Sequence, residues 1–142
     1  MTGPYALQRF RTAQDEQGTY GRAVAELRAG CKSSHWMWFV FPQLAGLGRS
    51  EMARRFAIAS LDEARAYVAD DVLGGRLLEC ALVLLDLGQQ DAERIFGAID
   101  AMKLRSSMTL FALAVPHEPV FAAVLERFFG GRRDEATERL LG

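Results

Sequence analysis

The chain has 142 residues, of which 50% are hydrophobic and 25% charged, and its formal net charge is −1. This composition is typical of a soluble globular domain that can bury its core without disulfides or a structural metal. Because acidic and basic residues are interspersed, the sequence lacks the general basic surface that binds phosphates, and we expect no nucleic-acid partner, although a local basic pocket is still allowed.

The sequence also bears on the compartment of the protein. Residues 1–5 lack the basic segment and apolar run of a signal peptide, and even the longest apolar stretches, such as residues 80–85, are too short to span a membrane. Cys31 and Cys80 lie in no CxxC motif and have no histidine at metal-ligand spacing. We therefore expect a cytoplasmic protein with two reduced thiols, no membrane partner, no metal and no cofactor. The pattern gives no signal for an oligomeric state.

Apolar residues recur with helical spacing along nearly the whole chain. They predict an all-α fold in which residues 1–142 form a single compact multi-helix domain of about seven to eight short helices. In chain order, an amphipathic turn lies near residues 7–14, and helical segments lie near residues 19–30, 51–59, 61–68, 72–87, 91–96, 100–115, 118–129 and 134–141.

Side chains that accept hydrogen bonds from free amides mark several helix starts. Ser50, Asp71 and Asp100 each stand where a helical segment begins. Residues 60–63, Ser-Leu-Asp-Glu, match a capping box, in which the serine accepts from the Glu63 amide while the Glu63 carboxylate reaches back. We predict a helix start at each of these places.

Residues 36–41, Trp-Met-Trp-Phe-Val-Phe, are apolar on every side and leave more than one structure open. Their β-propensity is high, but no strand of comparable strength is present to pair with them, and an unpaired buried strand leaves backbone groups without hydrogen bonds. We therefore favour buried helical turns that end before Pro42, with a buried strand or an exposed aromatic patch as the alternatives.

Two segments set a cation and two adjacent serines against large apolar residues: residues 32–43, KSSHWMWFVFPQ, and residues 103–111, KLRSSMTLF. This combination is typical of the lip of a small-molecule pocket. Arginine offers a paired donor to phosphate, lysine a mobile charge, and tryptophan a face on which a base can stack. The predicted ligand-binding residues are Lys32, Ser34, Trp38, Lys103, Arg105, Ser106 and Ser107.

The same residues also allow a purely structural interpretation. Lys103 and Arg105 could pair with acidic residues such as Asp100. The hydroxyls of Ser106 and Ser107 could bond back to carbonyls of their own helix. Both interpretations stay open at the level of the sequence.

His35 is the candidate catalytic residue, because histidine titrates near neutrality and can act as a general acid or base. Ser33 and Ser34 are candidate nucleophiles, but adjacent residues on a helix diverge, and no nucleophile-elbow motif is present. The alternative is a partly buried His35 that bonds a carbonyl, beside a serine that caps a helix. Whether the protein is an enzyme therefore stays open.

Several strings of this chain follow the pattern of a known family. They are residues 32–39 (KSSHWMWF), 41–44 (FPQL) with 46–48 (GLG), 72–74 (VLG) with Arg76-Leu77, 95–97 (IFG) with Asp100, and 103–111 (KLRSSMTLF). From Phe10 to the Phe128-Phe129 pair, the chain resembles the domain of unknown function 1810 family, some members of which carry the automatic name calpastatin. The resemblance implies a small helical cytosolic domain and no established activity. Protease-inhibitor segments of the calpastatin kind are disordered and polar, whereas this chain has the composition of a packed globule.

We expect a small-molecule-binding protein, with or without an enzymatic activity, whose ligand is phosphorylated or nucleotide-like. The alternative is a helical protein-interaction module in which Trp36, Trp38 and Phe39 anchor a partner. Buried tryptophans, together with convergence of Lys32, His35 and Arg105 on one cavity, would favour the first hypothesis.

Overall fold

The structure is a computed structural model that describes residues 5–142, so residues 1–4 of the predicted domain lie outside the described residues. Within this range the chain forms ten α-helices and no β-strand beyond one isolated bridge. The helices are α1 (Gln8–Asp15), α2 (Thr19–Ala29), α3 (Met37–Val40), α4 (Glu51–Arg55), α5 (Leu61–Ala69), α6 (Leu73–Asp86), α7 (Ala92–Phe96), α8 (Ala98–Ala114), α9 (Pro119–Phe129) and α10 (Glu135–Leu141), with a 3₁₀ turn at Glu16–Gly18.

The predicted all-α fold is confirmed. The described residues contain ten helices rather than the seven to eight expected, and three of them, α3, α4 and α7, are only four or five residues long. Helices of four or five residues are not stable in water on their own, so their formation depends on packing against the rest of the protein.

Helix α8 lies at the centre of the fold. Residues 106–112 are buried without interruption, so this part of the helix faces protein on all sides. It contacts α5, α7, α9 and α10. A chain of aromatic contacts, Phe10 to Tyr67 to Phe111 to Phe121, with ring centroids 5.1, 5.4 and 5.6 Å apart, joins α1, α5, α8 and α9.

The aromatic segment forms the one-turn helix α3, as favoured over a strand. Trp36, Phe39 and Phe41 are buried, and Trp38 is partly buried. An exposed patch built from these aromatic side chains is therefore not formed.

The predicted caps are confirmed at two helices. The Ser50 hydroxyl accepts a hydrogen bond from the Ala53 amide, and the Ser60 hydroxyl accepts one from the Glu63 amide, both at 3.1 Å. The Glu63 carboxylate accepts from the amide of Ala59 at 2.9 Å, one residue before the position that a capping box predicts.

Two predicted caps are wrong. At the start of α6, Asp70 rather than Asp71 accepts from the amides of Val72 and Leu73, at 3.0 and 2.9 Å. Asp100 caps no helix, because α8 begins at Ala98, directly after Gly97 with its left-handed φ of +82°. Asp100 lies in the first turn of α8, where its carboxylate interacts favourably with the helix dipole.

Within residues 5–142, no helix is long and apolar enough to cross a membrane, and no group of three His, Cys, Asp or Glu side chains could hold a metal ion. Cys31 is exposed and Cys80 is buried, and both are free thiols. Burial raises the pKa of the Cys80 thiol to about 12, so this cysteine stays uncharged and unreactive at neutral pH.

Helices α5 and α6 approach each other closely at Gly74. A methyl group on Gly74 would lie 1.9 Å from the carbonyl oxygen of Val68, a backbone atom that cannot move aside alone. At Gly75, by contrast, the same position has no neighbour within 4 Å.

We predict that Gly74→Ala lowers the free energy of unfolding by about 2–3 kcal/mol, because the two helices must separate. Gly75→Ala is the matched control with the same gain in helix propensity, and it should raise the free energy of unfolding by about 0.5–1 kcal/mol. Urea denaturation of both variants measures the two effects. Changes of the same sign would contradict the close approach at Gly74.

Candidate functional site

The loop between α2 and α3 is fastened to α2 by one carboxylate, that of Glu26. Its oxygens accept hydrogen bonds from the Ser33 amide at 2.8 Å, the Ser34 amide at 3.0 Å, the Trp36 indole at 2.9 Å and the Ser34 hydroxyl. Burial acts to raise the pKa of Glu26, but these hydrogen bonds to the charged form outweigh it and lower the pKa to about 2. Ser34, a predicted ligand-binding residue, is thus committed to Glu26.

Asp100 joins the two predicted segments. Its Oδ2 lies 2.8 Å from the ammonium of Lys32, and its Oδ1 lies 3.6 Å from that of Lys103. These are the two lysines of the chain. The Lys32 side chain is 8% exposed and also donates to the Ser34 carbonyl at 2.6 Å, whereas that of Lys103 is 23% exposed. One carboxylate between two ammonium groups leaves a net positive charge. Of the two ammonium groups, that of Lys103 belongs to the more exposed side chain.

Each of the two lysines also lies over a tryptophan ring. The Lys32 ammonium is 5.1 Å from the centroid of Trp36, and the Lys103 ammonium is 4.9 Å from that of Trp38. Such contacts hold a cation in place without neutralising it. One face of Trp38 is therefore taken by Lys103, which argues against the predicted stacking of a ligand on that face.

Arg105 does not face the two lysines but holds the loop between α9 and α10. Its Nε donates to the Arg132 carbonyl at 3.0 Å and its Nη2 to the Arg133 carbonyl at 2.7 Å. Because these two donors bind backbone carbonyls, Arg105 stabilises the loop between α9 and α10, and the same donors are not free to bind a ligand.

The hydroxyls of α8 follow the structural interpretation in part. Ser106 donates to the Met102 carbonyl at 3.1 Å, back along its own helix. Ser107 is fully buried, and its hydroxyl has no hydrogen-bond partner among residues 5–142. Of the two, only Ser106 reaches the depression described next.

Lys103 lies at the edge of a surface depression of about 300 Å³, which we call the Lys103 depression. Its polar lining residues are Gln43, Lys103, Ser106 and Asp134, while Ile99 and Met102, 73% and 69% exposed, supply apolar surface. The full lining is Gln43, Leu47, Gly48, Ile99, Met102, Lys103, Ser106, Asp134 and Ala136.

His35, the candidate catalytic residue, lies elsewhere. It is exposed and lines a separate depression that shares no lining residue with the Lys103 depression. The hydroxyl of Ser34 donates to Glu26 and not to His35. The structure therefore brings Lys32 and Lys103 together and places Arg105 and His35 apart from them, because the buried Trp36 turns its neighbour His35 outward.

The sequence did not reveal Glu26, which organises the loop. A single acidic residue on an amphipathic helix has no pattern that separates it from a solvated one. The sequence does indicate Asp100 as a partner for Lys103 or Arg105, but it does not predict the contact of Asp100 with Lys32.

Two comparisons with known proteins gave a match. A family model described as "Protein of unknown function (DUF1810)" matches residues 4–141. The crystal structure of the conserved hypothetical protein Rv1873 from Mycobacterium tuberculosis is similar to this structure, with a TM-score of 0.94, 49% sequence identity and coverage of 98% of both chains. No curated protein matches the sequence. The similarity thus covers the fold and assigns no activity.

We predict that Glu26→Gln lowers the free energy of unfolding by about 2 kcal/mol at pH 7, because the amide keeps the shape of the side chain but not its charge. A carboxyl whose pKa falls on folding, here from 4.5 to about 2, stabilises the protein above its unfolded pKa and loses this effect as the pH falls through its folded pKa. The difference between wild type and variant should be constant above about pH 5 and shrink towards pH 2. Urea denaturation at a series of pH values measures it.

The control for this experiment is Glu126→Gln, since the exposed Glu126 carboxylate has no hydrogen bond or ion pair within residues 5–142. This control should leave the stability nearly unchanged. A pH-dependent loss of the same size in Glu126→Gln would contradict the role of Glu26.

Proposed function

The chain belongs to the family of proteins of unknown function DUF1810, and from its geometry we propose that it is a cytoplasmic protein that binds a small phosphorylated or nucleotide-like molecule in the Lys103 depression. The ligand's anionic group pairs with Lys103, and its apolar part contacts Ile99 and Met102. The two free thiols, Cys31 and Cys80, suit the reducing cytoplasm.

The observation that carries this proposal is the incomplete neutralisation of Lys103. An ammonium group has three N–H donors, yet the partners of this one within residues 5–142 are Asp100 at 3.6 Å and the ring of Trp38. Asp100 is already held by Lys32 at 2.8 Å, so it cannot fully satisfy the second lysine. Lys103 therefore has donors to offer to an incoming anion.

The remaining lining supports a ligand with both polar and apolar parts. Small-molecule sites are mostly apolar and contain a few well-placed polar groups. Here Gln43, Ser106 and Asp134 accompany Lys103, and the exposed side chains of Ile99 and Met102 lie beside them. A volume of about 300 Å³ suits a ligand of metabolite size.

The interaction-module hypothesis has less support. Its proposed anchors Trp36 and Phe39 are buried, with 0% and 6% exposure, and the exposed face of an interface needs side chains that can reach a partner. We propose no reaction at the Lys103 depression, because His35 does not line it.

We predict that a panel of nucleotides and sugar phosphates contains ligands that raise the melting temperature of the wild type, since a ligand that binds only the native state stabilises it. Lys103→Met should weaken the binding about tenfold or more, because a charged hydrogen bond is lost. The matched control is Arg94→Met, which removes an exposed cation paired with Asp91 at 3.7 Å. The proposal fails if no compound stabilises the wild type, or if Lys103→Met and Arg94→Met bind equally.

A second variant acts in the opposite direction. Asp100→Asn removes the negative charge that competes for Lys103, so it should bind the same ligand more tightly, while its free energy of unfolding falls because Lys32 loses its partner. Calorimetric titration and urea denaturation measure the two effects. Weaker or unchanged ligand binding by this variant would show that the charge of Lys103 does not hold the ligand.

A further inference from the structure

We propose that a second depression, lined by His35 and Arg55, is an independent binding site for a small hydroxylated molecule with one oxyanion group, such as a sugar monophosphate. This site, which we call the His35 depression, has a volume of about 260 Å³. Its polar lining consists of Thr12, Glu16, Gln17, Thr19, His35 and Arg55. It shares no lining residue with the Lys103 depression, so it goes beyond the function proposed above.

One side of the depression supplies donors for an oxyanion. Within residues 5–142, neither the imidazole of His35 nor the guanidinium of Arg55 has a hydrogen-bond or ion-pair partner. The guanidinium lies over the ring of Phe56, 5.1 Å from its centroid, which orients it without neutralising it. The Arg55 carbonyl accepts from Arg9 at 2.8 Å, so the end of α4 is held in place. An arginine fork beside a histidine is well suited to bind phosphate or carboxylate oxygens.

The other side supplies acceptors for hydroxyl groups. It is the turn between α1 and α2, where Gln17 has φ 53° and ψ 32°, the left-handed region that residues other than glycine rarely adopt. Thr19 donates to the Glu16 carbonyl at 2.6 Å and so holds the turn closed. This backbone costs free energy in a residue with a side chain, and such strain is concentrated at functional sites. Here the turn places Glu16 and Gln17 in the lining.

The floor of the depression is rigid. It includes the rings of Phe39 and Phe56, whose centroids lie 5.2 Å apart. The buried Gln14 amide donates to the Phe39 carbonyl at 2.7 Å and fixes this part of α3. A site that is ordered before it binds loses less entropy when the ligand arrives.

The charges of the lining select the kind of ligand. Arg55 and His35 attract one anionic group, whereas the Glu16 carboxylate repels further negative charge and accepts hydrogen bonds from hydroxyls. A polyphosphate would place several charges near this carboxylate. A compound with one phosphate or carboxylate group and several hydroxyls satisfies both sides.

The two histidines of the chain allow a direct test by NMR. His35 lines the depression, and His117 is exposed after α8, where it serves as an internal reference. The imidazole signals are followed while ribose 5-phosphate, glucose 6-phosphate and glycerol 3-phosphate are added, each against inorganic phosphate. We expect at least one of the three esters to give a saturable shift of His35 at lower concentration than inorganic phosphate does, with His117 unchanged.

Three variants separate this site from the rest of the protein. Arg55→Gln should weaken the binding about tenfold or more, and Lys103→Met should leave it unchanged. Gln17→Gly should weaken the binding severalfold and at the same time raise the melting temperature, because glycine adopts the left-handed turn without strain. A purely structural turn would change stability and leave affinity untouched.

The proposal is overturned if none of the three esters shifts His35 saturably, or if His117 responds equally. It is also overturned if Arg55→Gln and Gln17→Gly both bind as the wild type does. Loss of the His35 response in Lys103→Met would assign the ligand to the Lys103 depression. Lys103→Met tests the Lys103 depression and Arg55→Gln tests the His35 depression. Failure of one proposal therefore leaves the other testable.

Discussion

The arrangement of the polar groups depends on one carboxylate, Asp100, which lies between the two lysines of the chain. A lysine that is almost fully buried, as Lys32 is, needs a charged partner, since the cost of removing an ammonium group from water is otherwise prohibitive. Asp100 provides it from the first turn of α8 and so ties the loop before α3 to the central helix. With Lys32 in place and Glu26 holding the same loop from the other end, Trp36 can enter the core.

The same arrangement explains why Lys103 is available and Lys32 is not. A carboxylate shared by two ammonium groups satisfies the nearer one first, and Lys32 is also bound to the Ser34 carbonyl. Lys103, at the longer distance and the more exposed position, keeps unused donors. Arg105 is the better fork for phosphate in chemical terms, but both of its bonds go to the α9–α10 loop. Which cation can bind a ligand is therefore decided by whether its donors are unused, and not by the chemical type of its side chain.

Local sequence signals predicted local structure well and failed where two signals competed. The caps at Ser50 and Ser60 involve contacts over only three residues, and both are present. Asp70 and Asp71 are adjacent acidic residues, so the pattern could not choose between them. At α8 the left-handed Gly97 allows the helix to begin two residues before Asp100, which frees that carboxylate for the lysines. The candidate site was predicted only in part: Lys32 and Lys103 meet at Asp100 and Ser106 lies beside Lys103, whereas Arg105, His35, Ser34 and Ser107 have other surroundings.

The sequence by itself determined the all-α fold and most helix spans. These follow from spacings of three or four residues, which a helix converts into neighbours whatever the rest of the chain does. Only the tertiary structure decided which polar groups meet. Burial of Trp36 directs His35 outward into a depression formed with Arg55, and the packing of α8 brings Asp100 to Lys32. Such contacts join residues far apart in the chain, so they depend on the packing of the whole core and leave no periodic pattern in the sequence.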